Sequence, residues 1–145
     1  MIFRLHLLIV FSLSSGCYLR PSAVHNAASP DGVSISLVGQ DCEDHRAAKG
    51  DPVTRDLGVK LRVDNPTDKT LRISESAIRL QVESYSGGVR LPTVVEIPPH
   101  AQKTLTMDFT HHALCEPDRQ FVVAWNDALA LDDHPVAIGN LSFRP

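Results

Sequence analysis

Residues 57–82, LGVKLRVDNPTDKTLRISESAIRLQV, carry the strongest pattern in the chain. Leu57, Val59, Leu61 and Val63 alternate with Gly58, Lys60, Arg62 and Asp64. A period of two sends successive side chains to opposite faces, so this run predicts a β-strand buried on one side and wet on the other. Asn65-Pro66 ends it, because proline lacks the donor a ladder needs and asparagine tolerates turn geometry. Beyond the turn, Ile78, Leu80 and Val82 alternate with Arg79, Gln81 and Glu83, which predicts a second strand paired with the first. Leu71 and Ile73 begin that second strand, with Ser74-Glu75-Ser76 a bulge or break in it.

The rest of the chain repeats the theme in shorter pieces. Residues 18–30 are rich in Pro, Ser, Ala and Asn without a sustained period and read as a flexible tether. Asp31-Gly32 turns into a strand marked by Val33, Ile35 and Leu37, and residues 40–52 read as a polar loop. Ser86-Gly87-Gly88 is a turn signal, and Pro92 demotes part of 89–97 to an edge strand or loop. After Pro98-Pro99-His100 comes a strand with Leu105, Met107 and Phe109 on one face, then a polar loop at 110–119. Residues 121–125 are nearly all apolar and predict a central strand, while 128–131 fit either a strand or a helical turn. Val136, Ile138, Leu141 and Phe143 close the chain, with a bulge expected at Gly139-Asn140 where the period slips. Seven to eight short strands at regular spacing predict an all-β fold, an antiparallel β-sandwich over residues 31–145.

The N-terminus changes the picture from fold to location. Arg4, an apolar run at 5–13 and the small residues Ser14-Ser15-Gly16 before Cys17 follow the order of a secretory signal. The run is shorter than the ~20 residues a spanning helix requires. Removal of residues 1–16 takes Arg4 away from the chain's 14 Lys+Arg and leaves 13 against 17 Asp+Glu, a net charge of −4. The charges are interspersed, with no basic face for nucleic acid, so nucleic-acid binding is not expected. Cys42 and Cys115 lie inside the globular region, and in an exported protein two such cysteines predict a disulfide. Closing that loop contributes on the order of 4 kcal/mol by the chain-entropy estimate.

Leu13-Ser14-Ser15-Gly16-Cys17 resembles the lipobox of bacterial lipoproteins, with the leucine one place earlier than in most members. The resemblance implies that Cys17 is diacylated and becomes the N-terminus of the mature chain. The competing reading is a soluble secreted protein, since Ser14 and Gly16 also suit an ordinary signal peptidase; it leaves Cys17 as an odd thiol in an oxidising compartment. Tyr18 takes the place of the acidic residue that retains many lipoproteins at the inner membrane, so the resemblance implies the periplasmic face of the outer membrane. Two acyl chains, at about 0.8 kcal/mol per buried CH₂, give stable attachment. Val63-Asp64-Asn65-Pro66, Leu71-Arg72-Ile73, Ile97-Pro98-Pro99 and Leu105-Thr106-Met107-Asp108-Phe109 resemble the small immunoglobulin-like sandwiches of exported bacterial proteins and the water-stress/hypersensitive-response domain. Both resemblances imply an immunoglobulin-like sandwich and no catalytic residue.

The cysteine loops are the one place where polar chemistry concentrates. A Cys42–Cys115 bond brings Asp41, Glu43, Asp44 and His45 toward His111, His112, Glu116 and Asp118. Histidines beside carboxylates suit zinc or copper, so His45, His111 and His112 are the candidate metal ligands. Against this, His111 and His112 are adjacent and on an extended chain point to opposite sides. The favoured expectation is a structural disulfide with solvated loops and no metal or other cofactor. Asp132-Asp133-His134 lacks the spaced oxygens and glycine of a calcium loop, and Trp125 reads as core. No His-Glu-x-x-His, phosphate-cradling glycine loop or Gly-x-Ser-x-Gly occurs, and no spacing singles out a nucleophile with its base, so an enzyme is not expected. The sequence thus predicts a lipid-anchored, non-catalytic binding or structural module with a membrane attachment and an envelope protein as partner. A periplasmic metal-binding protein is the alternative.

Overall fold

The computed structural model describes residues 23–45, 54–111 and 115–144. The targeting segment, Cys17 and His112 lie outside the described residues. Among the described residues the chain forms β1 (Asn26–Ala28), β2 (Ser34–His45), β3 (Thr54–Asn65), β4 (Leu71–Ser74), β5 (Arg79–Val82), β6 (Tyr85–Gly88), β7 (Val94–Ile97), β8 (Ala101–His111), β9 (Phe121–Ala124), β10 (Leu129–Leu131), β11 (His134–Pro135) and β12 (Leu141–Phe143). The fold is an all-β antiparallel sandwich, built from three four-stranded sheets ordered β1-β2-β3-β8, β11-β10-β4-β7 and β12-β9-β5-β6. The long strands behave as their alternation predicts. Leu57, Val59, Leu61 and Val63 of β3 and Leu105, Met107 and Phe109 of β8 are buried in one core with Leu71, Ile73, Leu80, Phe121 and Phe143 from the other sheets and Trp125 just past β9.

The strand partners differ from the expectation. β3 pairs with β2 and β8, not with the segment after its turn, and β4 pairs with β7 and β10 in another sheet. Residues 66–70 therefore carry the chain from one sheet to the next. The break at Ser74-Glu75-Ser76 is a short 3-10 turn, Glu75–Ala77, after which β5 joins the third sheet. Glu75 is buried there, its carboxylate accepting bonds from the Thr93 backbone N–H at 2.7 Å and the Thr93 hydroxyl at 2.9 Å.

Asn65 holds the first crossing in place. It is fully buried, and its Nδ2 donates to the carbonyls of Lys69 at 2.8 Å, Ile97 at 3.2 Å and Pro98 at 3.0 Å. Its Oδ1 accepts from the Thr67 hydroxyl at 2.7 Å and the Thr67 N–H at 3.3 Å. A turn residue by sequence is thus a satisfied polar group in the interior, which is the condition for burying an amide.

Several connections also move. The strand expected to end near Leu37 runs on to His45, because β3 supplies ladder partners throughout the polar stretch 39–45. Gly87 and Gly88 lie within β6; the turn sits at Glu83-Ser84, where Glu83 adopts a φ of 52°. Leu129–Leu131 is a strand on β4 rather than a helical turn. No bulge forms at Gly139-Asn140, which belong to the connection leading into β12. Part of the expected tether is sheet, since Asn26–Ala28 pairs with β2 and Val24 bridges Ser142, so the domain begins before Asp31.

Candidate functional site

One irregularity in β2 sets up the cysteine end of the sandwich. The register between β2 and β3 shifts between Leu37 and Gly39, leaving Val38 as the extra, exposed residue. Before it, Ile35 faces Val63 and Leu37 faces Leu61; after it, Cys42 faces Leu57. One inserted residue exchanges the two faces of a strand. Without it Cys42 would share the outer face with Ser34 and Ser36; with it, Cys42 joins the buried row of Leu57 and Phe109.

There Cys42 forms the expected disulfide with Cys115, the Cα atoms 5.8 Å apart, an ordinary span for such a bond. His111 lies beside it, fully buried, with Nε2 3.7 Å from Cys42 Sγ and its ring edge-on to Phe121 at 5.2 Å. Arg55, opposite His111 in the β3–β8 register, is also buried. The expected solvated loop at His111 is therefore the inward end of β8. The signal was available in the sequence: His111 continues the same-face series Leu105, Met107, Phe109, and Arg55 precedes Leu57 in its own series.

Of the carboxylates expected near these histidines, Asp44 stands opposite Arg55 in the β2–β3 register, whereas others are turned to the outer face. Asp41 and Glu43 are exposed on the outer face of the same sheet, where they line a shallow depression of about 200 Å³ with Asp56, Gly58, Arg90 and Asp108. Arg90 donates to Asp56 at 2.9 Å and lies 3.9 Å from Asp108. Glu116 accepts from Arg119 at 2.8 Å, and Arg119 also pairs with Glu83. The Glu116 hydrogen bond pushes the Arg119 pKa further above its already high ordinary value, so that guanidinium is a permanent cation. The backbone of His45 closes β2 against Thr54. Of the three expected metal ligands, His111 is described and lies at the disulfide, its Nε2 beside Cys42 Sγ; His112 and the side chain of His45 lie outside the described residues. The Sγ atoms of Cys42 and Cys115 and one ring nitrogen of His111 all lie within 4.8 Å of one another.

The remaining candidates are structural. Asp132 accepts the Thr70 N–H at 3.1 Å and Asp133 pairs with Arg72 at 3.4 Å, both in a turn with positive φ. Trp125 is core, 1 % exposed. A second open depression, about 360 Å³, lies over the outer face of β2, β3 and β8 and is lined by Gln40, Asp41, Gly58, Lys60, Thr106 and Asp108. Its mixed charges and open form suit contact with a surface more than enclosure of a small molecule.

No family model matches the chain, and no curated protein does. Among solved structures, the chain is similar to the "putative lipoprotein (ycdA)" of Bacillus subtilis subsp. subtilis str. 168, at 12 % identity and a TM-score of 0.51, over 83 % of this chain and 39 % of that one. A protein from Archaeoglobus fulgidus matches at 9 % identity and a TM-score of 0.40, over 76 % of this chain and 98 % of that one. This chain thus spans about two fifths of ycdA, and what the two share is the β-sandwich fold.

Proposed function

We propose that this protein is a lipid-anchored module of a bacterial cell envelope, attached through diacylated Cys17 and acting by non-catalytic binding or structural contact. The observation that carries the reading is the allocation of the cysteines. Cys42 and Cys115 bond to each other, which leaves Cys17, at the end of the lipobox-like Leu13-Ser14-Ser15-Gly16-Cys17, as the odd cysteine of an exported chain. Occurrence of the same fold in the "putative lipoprotein (ycdA)" is in keeping with it. On this reading the segment after Cys17 joins the sandwich to the periplasmic face of the outer membrane, and the outer face of β2, β3 and β8 meets an envelope protein. Support for a non-catalytic role comes from the placement of His111, which is sealed against a disulfide and Phe121 rather than open to a substrate.

Labelling of expressing cells with a clickable fatty acid tests the anchor. Incorporation into the wild-type chain and its loss in Cys17→Ala is the expected result. Absence of label, or label that survives the substitution, overturns the reading.

A further inference from the structure

The inward end of the first sheet gathers sulfur and imidazole donors around the disulfide. Cys42, Cys115 and His111 present two sulfurs and one imidazole nitrogen within 4.8 Å. Sulfur and imidazole nitrogen bound to a tetrahedral ion at about 2.3 and 2.0–2.1 Å lie about 3.5–3.6 Å apart. Cys42 Sγ and His111 Nε2, 3.7 Å apart, need close by only a tenth or two of an ångström to reach that spacing. The ring is fixed by complete burial and by its edge contact with Phe121, and Cys42 is fixed by the β2–β3 ladder. Cys115 lies outside any strand, so it is the ligand free to adjust once the bond between the sulfurs is gone. Both cysteines are partly exposed, which gives a reductant access.

We propose that reduction converts this disulfide into a metal site, in which the thiolates of Cys42 and Cys115 and His111 Nε2 hold one thiophilic d¹⁰ cation, zinc(II) or copper(I). A dithiol supplies the reduction: it transfers two electrons and two protons to the Cys42–Cys115 bond and becomes a disulfide itself. The cation then displaces the two thiol protons, which leave to solvent, and the imidazole coordinates as the neutral base. Two soft sulfurs and an imidazole favour these ions over magnesium or calcium. Three protein ligands leave a fourth position for water. Reduction thus gates binding, because sulfurs bonded to each other are not thiolate donors. The site differs from the histidine–carboxylate set expected from sequence, and it does not depend on the anchor at Cys17.

The test uses the full chain, oxidised or reduced with dithiothreitol and desalted under argon, titrated with cobalt(II) as the spectroscopic probe. Zinc and copper(I) follow in competition with chromophoric chelators. The reduced chain is expected to bind one equivalent with thiolate-to-cobalt charge-transfer bands, and the oxidised chain at least a hundredfold more weakly without them. Cys42→Ser/Cys115→Ser removes the bands, and His111→Ala weakens binding at least tenfold. Should His111→Ala fail to fold, His111→Cys keeps three ligands and decides: retained binding supports the site and lost binding overturns it. If the reduced metal-free chain loses its strand circular dichroism, recovery with one equivalent supports the proposal and non-recovery overturns it. Equal binding by oxidised and reduced protein, or affinity indifferent to His111, also overturns it.

Discussion

The side-chain amide of Asn65 donates to the carbonyl of Ile97 at 3.2 Å, joining the end of β3 to the end of β7 in a different sheet. The same amide reaches Lys69 and Pro98, so one buried side chain closes the crossing between two sheets. Asn65→Ala removes the donor to three carbonyls and is expected to destabilise the fold by about 3 kcal/mol, since a buried unmade hydrogen bond costs about 1–3 kcal/mol. Asn65→Asp keeps the acceptor for Thr67 but loses the donors, so it is expected to cost as much. Urea denaturation checks both: a midpoint lowered in Ala with no loss in Asp would reduce Asn65 to a turn former.

Reduction of Cys42–Cys115 in metal-free buffer with chelator is expected to lower unfolding stability by about 4 kcal/mol. The bond joins residues 73 apart and so constrains more than half of the sandwich in the unfolded chain. Comparing denaturant midpoints of oxidised and reduced protein gives the value. A shift below about 1 kcal/mol would show that the ladder alone fixes this end of β2.

Deletion of Val38 is expected to reverse the faces of residues 39–45 and turn Cys42 to the outer side. The measurable result is two more reactive thiols in the unreduced deletion variant than in the unreduced parent, counted by mass after alkylation. An intact disulfide there would mean that β2 absorbs the deletion elsewhere.

Tyr85 and Gly87 are coupled across two positions of β6. A Cβ at Gly87 would lie 2.2 Å from the Tyr85 hydroxyl and 2.7 Å from its ring carbon Cζ, while that hydroxyl donates to the Thr110 carbonyl of β8 at 2.5 Å. Tyr85→Phe is expected to cost about 1 kcal/mol for the lost bond. Gly87→Ala is expected to cost about 1–3 kcal/mol by displacing the ring. In the double variant the two costs fall short of their sum, because the ring has already left Thr110. Full additivity in a double-mutant cycle would separate the two residues.

Leu61 and its neighbour Lys60 test the alternation itself. Leu61 is fully buried and Lys60 exposed, so Leu61→Ala is expected to cost about 2–5 kcal/mol. Lys60→Ala is expected to stay within about 0.5 kcal/mol. Thermal and urea unfolding of both variants decide; comparable losses would contradict a one-sided β3.

The strand faces and the disulfide were legible before the fold was known. Alternation marks Leu57, Val59, Leu61, Val63, Leu105, Met107 and Phe109 as inward because it arises from the pleat of a single strand and needs no partner. The same rule extended by two residues reaches Arg55 and also His111, which the polarity of 110–119 had assigned to a solvated loop. Tertiary structure alone decided the pairing. β3 and β4 follow one another across five residues yet lie in different sheets, because ladder partners are chosen by distant strands and by Asn65 binding Ile97 and Pro98. The polar run 39–45 is strand for the same reason: β3 satisfies its backbone whatever its side chains are. The burial of His111 directly against Cys42 Sγ also belongs to the tertiary structure. It requires the register shift at Val38, and a register exists only between two strands.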